Sequence, residues 1–213
     1  MTSSKSPQDV LREHFPTVYL TLISILVALA VEGLLERIDE LPQLFVVSPS
    51  AILSWLEISI VLSIAALFWW VIARWASTFP WAFAFFDALA PLVLLMALHF
   101  LAQSVGRSPD RWFAALGVVA IGGSVNYVVS AWRALGYASH TATRRQVLVP
   151  AAIPASIGLL AILGSAVGFG SISTALQIFL NAAVVGVVIG FAIAEYRFWS
   201  RAVTDHLNES HVA

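Results

Sequence analysis

Long apolar stretches, separated by short polar connections, constrain the fold of this chain more than any motif does. A bilayer core about 30 Å thick is crossed by about 20 mostly apolar residues of a helix that rises about 1.5 Å per residue. Six segments meet that requirement: 18–35, 51–73, 82–102, 112–132, 147–167 and 175–194. Of the 213 residues, 60% are hydrophobic and only 11% charged. That leaves too few polar side chains to clothe a water-soluble globule. The chain reads as all-α, a polytopic transmembrane bundle of six helices forming a single membrane domain over residues 1–213, with the lipid bilayer as its first partner. A β-barrel would show short segments alternating apolar and polar residues, and no such segment is present. Residues 1–17 carry Lys5, Asp9, Arg12, Glu13 and His14, too polar a start for a cleaved secretory signal, so the first span is expected to remain in the mature protein.

The connections are short, the longest being 36–50 and 133–146, and Pro42, Pro49 and Pro80 stand at plausible helix boundaries. With six spans, both termini and the even-numbered connections share one side. That side holds Lys5, Arg12, Arg74, Arg133, Arg144, Arg145, Arg197 and Arg201, leaving Arg37, Arg107 and Arg111 on the other. Cytoplasmic loops carry the excess of Lys and Arg, so both termini are expected in the cytoplasm, as in a multi-pass protein of a bacterial cytoplasmic (inner) membrane. Trp69, Trp70, Trp75, Trp81, Trp132 and Trp199 fall near that rim and Trp55 and Trp112 near the opposite one, as an interfacial aromatic belt requires. A net charge of −1 removes the basic footprint of a nucleic-acid binder, and the absence of cysteine excludes disulfides and thiolate metal sites.

Ionisable side chains within spans are costly, so they carry most of the chemical information. In the first span Thr17, Thr21, Ser24, Ala28, Glu32 and Glu36 recur every three or four residues and form one polar or small stripe. Two readings fit: an aqueous path with Glu32 and Glu36 as a cation-attracting mouth, or a close helix–helix seam ending in a solvated acidic rim of Glu36, Asp39 and Glu40 around Arg37. Neither leaves this face to lipid. Glu57 lies about two turns into the second span with Ser50 and Ser54 on its face, at the depth expected for Glu32. The two carboxylates meet at one mouth, or else Glu57 is satisfied by Arg107, Arg111 or a backbone group.

Asp87, in the third span four residues before Pro91, is expected to pair with Arg74 or Arg133 as a cytoplasmic-side ion pair or gate. His99 stands without a second histidine or carboxylate at helical spacing, which points to packing rather than metal ligation. Gly122, Asn126, Ser130 and Arg133 make a further polar or small stripe, and Thr174, Gln177 and Asn181 another. Asn126, Gln177 and Asn181 either line the middle of a hydrated interior or form interhelical hydrogen bonds. Ala182, Gly186, Gly190 and Ala194 repeat every four residues, and Gly164 and Gly168 form a second small pair. Both sets suit close packing, between the last two helices or between subunits.

No enzyme signature survives inspection. Gly122-Gly123-Ser124 is followed by Val125 rather than the glycine of an intramembrane serine protease, and the last span holds no histidine. No phosphate-binding glycine loop or His-x-x-x-His pair is present, and the only lysine is Lys5, outside every span. The reading is therefore a non-enzymatic protein without cofactor or metal. It is expected to be a small cation or proton channel or transporter working as a homo-oligomer, with Glu32, Glu36, Glu57, Asn126, Gln177 and Asn181 along the path. The alternative is a non-conducting scaffold or accessory subunit of a larger membrane complex.

Overall fold

The computed structural model describes residues 7–78, 85–135, 144–168 and 172–210. Among them are six α-helices: α1 (Pro7–Asp39), α2 (Pro49–Thr78), α3 (Phe85–Ser104), α4 (Pro109–Leu135), α5 (Arg144–Val167) and α6 (Thr174–Ser210). A single 3-10 turn, Pro42–Phe45, joins α1 to α2. Four of the helices are long and apolar enough to cross a membrane, over Pro16–Asp39, Pro49–Arg74, Pro109–Val129 and Thr174–Arg197; the described apolar stretches Leu89–Ser104 and Ala151–Ala166 are shorter.

Local chemistry sets several of the helix ends. Proline needs no intrahelical partner at a first helical position, which suits Pro49 and Pro109 as the first residues of α2 and α4. The Ser48 hydroxyl accepts the Ala51 N–H at 3.2 Å and the Ser173 hydroxyl accepts the Leu176 N–H at 3.4 Å, capping α2 and α6. Asp110 in the first turn of α4 complements the helix dipole. Between α3 and α4 the chain reverses through Gly106 at φ +65°, a conformation that side-chain-bearing residues rarely adopt. A Cβ there would also stand 2.8 Å from Leu41 Cδ2.

The helices pack as a ring. α1 lies between α2 and α3, α2 carries α6 on its other flank, α3 carries α4, and α4 carries α5; contact between α5 and α6, which closes the ring, is sparse. The main core fills the end of the ring nearest the α3–α4 turn. There Ala30 and Leu34 of α1, Ile58 and Val61 of α2, Leu98 and Leu101 of α3, and Trp112 and Leu116 of α4 are all buried together. A smaller cluster of Tyr19, Ile23, Ile72 and Ala76 joins α1 to α2 at the other end.

The closest helix–helix seam is between α4 and α5, not between α5 and α6. A Cβ on Gly117 would stand 2.7 Å from the Gly158 carbonyl oxygen and 2.5 Å from Ile162 Cγ1, and one on Gly158 would stand 2.8 Å from the Gly117 carbonyl oxygen. Each glycine thus admits the backbone of the other. The Ala182, Gly186, Gly190 and Ala194 face of α6 is exposed instead, with no atom within 4 Å of where a Cβ on Gly186 or Gly190 would stand. Gly164 is buried in α5, but Gly168, at φ +91°, lies just past the end of that helix and is exposed. Replacing Gly117 with leucine should force α4 and α5 apart and cost about 2 kcal/mol or more, as overpacking does. Gly123→Ala, where a Cβ meets no atom within 4 Å, should be neutral or should stabilise by up to about 1 kcal/mol through helix propensity. Equilibrium unfolding of both variants in detergent checks this.

Candidate functional site

Two groups of opposite charge meet the α3–α4 turn at the packed end of the ring. Glu57 of α2 is only 3% exposed and accepts the backbone N–H of Gly106 at 2.7 Å. Arg37, near the end of α1 and 9% exposed, donates from Nε to the Val105 carbonyl at 2.8 Å and pairs with Glu40. The Gly106 N–H thus meets a carboxylate, and the neighbouring Val105 carbonyl meets a guanidinium. Gln103 adds a third tie by donating from Nε2 to the Gly33 carbonyl at 3.0 Å. A buried turn with unpaired backbone groups would be costly, and these side chains remove the cost for Val105 and Gly106.

Glu57 is therefore satisfied by a backbone group, with Arg37 as the nearby cation. Arg107 is exposed and donates to Gln103 within its own segment. Arg37 does not belong to a solvated rim, unlike Glu36, Asp39 and Glu40, which are exposed. Glu32 and Glu57 do not share a mouth. Glu32 faces outward in a shallow groove between α1 and α2 lined by Ser24, Val27, Ala28, Val31, Leu35, Ala66 and Trp69. The whole stripe of Thr17, Thr21, Ser24, Ala28, Glu32 and Glu36 is exposed on the outer surface of the single chain. Thr21 and Ser24 donate their hydroxyls to the carbonyls of Thr17 and Leu20 at 2.9 and 2.8 Å, and Trp69 Nε1 donates to Ser24 Oγ at 3.0 Å.

Two further polar pairs bridge α4 and α6. Asn181 of α6 is fully buried; its Oδ1 accepts Trp112 Nε1 of α4 at 2.9 Å and its Nδ2 donates to the Gln177 carbonyl. Gln177, also buried, donates to the Ile172 carbonyl at 3.0 Å. Glu195 of α6, 2% exposed, accepts the Tyr127 hydroxyl of α4 at 2.8 Å. Trp112 and Tyr127 meet Asn181 and Glu195 in the same order along both helices, so α4 and α6 run parallel. Arg37 was masked in the sequence by Glu36, Asp39 and Glu40 around it, and nothing in the sequence paired Tyr127 with Glu195. Arg74 lays its guanidinium over the Trp70 ring at 4.9 Å. The side chains of Asp87 and Arg133 lie outside the described residues. His99 is exposed, with its ring edge-on to Phe100 at 6.5 Å.

Between the two α4–α6 bridges lies an apolar cavity of about 160 Å3. Its walls come mainly from α2, α4, α5 and α6, with Tyr19 of α1, and Asn126 is among the few polar residues on it. Among the described residues no group of three or more His, Cys, Asp or Glu is placed to hold a metal ion. The chain matches no protein-family model, no curated protein and no solved structure.

Glu57→Leu should destabilise the protein by about 2 kcal/mol, because it leaves the buried Gly106 N–H unpaired and removes one of the two carboxylates near Arg37. Glu57→Gln keeps an oxygen acceptor and should cost markedly less. Denaturant midpoints followed by tryptophan fluorescence in micelles compare the two, and equal losses would mean that the contact with Gly106 is unimportant.

Proposed function

We propose that the chain is a multi-pass membrane protein with both termini in the cytoplasm, working as a homo-oligomer whose cation path runs along the seam between copies rather than through the bundle. The observation that carries this reading is the outward direction of the α1 stripe. From Thr17 to Glu36 it extends about 28 Å at the helical rise, close to the thickness of a bilayer's hydrocarbon core. Acyl chains satisfy no carboxylate, so Glu32 needs water or another polypeptide against it. Ser24, Ala28 and Ala66 are small and let a neighbouring helix approach closely. A second copy supplies the same stripe, so polar groups face polar groups and Glu32 and Glu36 form an acidic ring of the kind that attracts cations.

The interior supports the same division of labour. Glu57, Asn181, Gln177 and Glu195 are each hydrogen-bonded within the bundle, and the cavity beside them is apolar. One observation favours a second reading, a non-conducting subunit: the Thr21 and Ser24 hydroxyls are donated to the helix's own carbonyls, so the seam can close dry.

The chain has no cysteine, so Ala28→Cys introduces a single one. Mild oxidation in membranes should give a covalent dimer through it, while Ile193→Cys on the outward face of α6 should not. Glu32→Gln should then lower cation flux into vesicles about tenfold, the loss expected when a focusing charge is removed from a mouth. Unchanged flux with Ala28→Cys cross-linking intact selects the non-conducting subunit, and failure of Ala28→Cys to cross-link removes the seam.

A further inference from the structure

We propose that the cavity lined by α2, α4, α5 and α6 takes the end of one acyl tail of a membrane phospholipid. This rests on the membrane placement proposed above but not on the oligomer seam.

The cavity is built into the fold. The Trp112–Asn181 and Tyr127–Glu195 hydrogen bonds tie α4 to α6 at two levels about 20 Å apart along the helices. Between those ties, α4 presents Ala120 and Gly123 where larger residues would have met Val187, Val188 and Phe191 of α6. A Cβ on Gly123 would meet no atom within 4 Å.

The chemistry of the walls selects the occupant. The Tyr127 hydroxyl is donated to Glu195, and the Ser124 hydroxyl to the Ala120 carbonyl at 2.7 Å. Both hydroxyls are thus donated within the protein, and apart from Tyr19 and Asn126 the remaining side chains on the walls are apolar. Apolar cavities of comparable size, about 150 Å3, remain dry in soluble proteins and take up benzene-sized molecules. The way in is the α5–α6 seam, where contact is sparse. Leu159, Leu160 and Leu163 of α5 and Ile189 and Ile193 of α6 are exposed, so both helices that flank the seam carry apolar outer surface. In a bilayer the apolar molecule at greatest concentration beside such a seam is a lipid tail. The residues lining the cavity include no Lys, Arg or His to hold a carboxylate, so a phospholipid with its headgroup outside is preferred to a free fatty acid.

The test uses the full chain in phosphatidylcholine vesicles containing a fraction of phosphatidylcholine with a diazirine at the tail end. The vesicles are irradiated and adducts are mapped by mass spectrometry. Adducts are expected on Val187, Val188 or Phe191 as well as on outward Ile189 and Ile193. Gly123→Leu, which fills the cavity, should reduce the interior adducts about tenfold, equivalent to about 1.4 kcal/mol of lost affinity, and leave the outward ones unchanged. Gly123→Val serves if the leucine variant does not fold. Outward adducts alone would overturn the proposal while leaving the membrane placement intact. No adducts at all would overturn both. Interior adducts indifferent to the filling variant, or obtained with a diazirine fatty acid but not with the phospholipid, would overturn the assignment of a phospholipid tail.

Discussion

The clasp on the α3–α4 turn is the constraint on which the rest of the packing depends. A reversal of the chain in apolar surroundings exposes backbone groups that a helix would have satisfied, and no lipid can supply the missing partners. Here the Gly106 N–H goes to a carboxylate from α2 and the Val105 carbonyl to a guanidinium from α1. Each charged group thus has a definite dipole to satisfy, and the two charges lie near enough to temper one another. Because the partners come from α1 and α2, the turn fixes the register of four helices at once. The main core, which includes Leu34 and Leu116, gathers against it.

Away from the clasp the ring is held differently. α4 and α5 meet backbone to backbone through Gly117 and Gly158, whereas α4 and α6 are linked by two polar bridges with a void between them. Hydrogen bonds between membrane helices contribute only about 0.6 kcal/mol on average, so the bridges set spacing more than they add stability. α5 is thus fastened to α4 along its length and only loosely to α6. That asymmetry makes the α5–α6 seam the weakest boundary of the ring.

Helix content and most helix limits were legible because long apolar runs offer the backbone few alternatives. The direction in which a stripe faces was not. Thr17, Thr21, Ser24 and Glu32 have the periodicity of an interior stripe, and the same spacing serves a face turned outward. Glu57 was legible as a buried carboxylate, with a backbone group among its possible partners. Arg37 was hidden by its neighbours: beside Glu36, Asp39 and Glu40 it reads as part of a solvated rim, and only the folded turn reveals a carbonyl waiting for it. The small-residue signal misled in a similar way. The regular Ala182, Gly186, Gly190 and Ala194 repeat lies on an open face, while the closest backbone contact rests on Gly117 and Gly158, two isolated glycines that make no motif.

The same geometry bears on where charge could cross. An ion moving through the ring would have to pass the Trp112–Asn181 and Tyr127–Glu195 bridges, and the space between them has walls with almost no polar atoms to replace its water. Desolvation of that kind is prohibitive without a ligating set. On the outside of α1 the balance differs, because Glu32 and Glu36 stand clear of the bundle and a second surface can bring water and polar groups to them. α2 separates the two environments, with Ala66 and Trp69 on the groove side and Phe68 and Val71 on the cavity side. The helix thus divides a surface suited to charge from an interior suited to hydrocarbon, and on this division rests the proposal of a path between chains and a lipid tail within one.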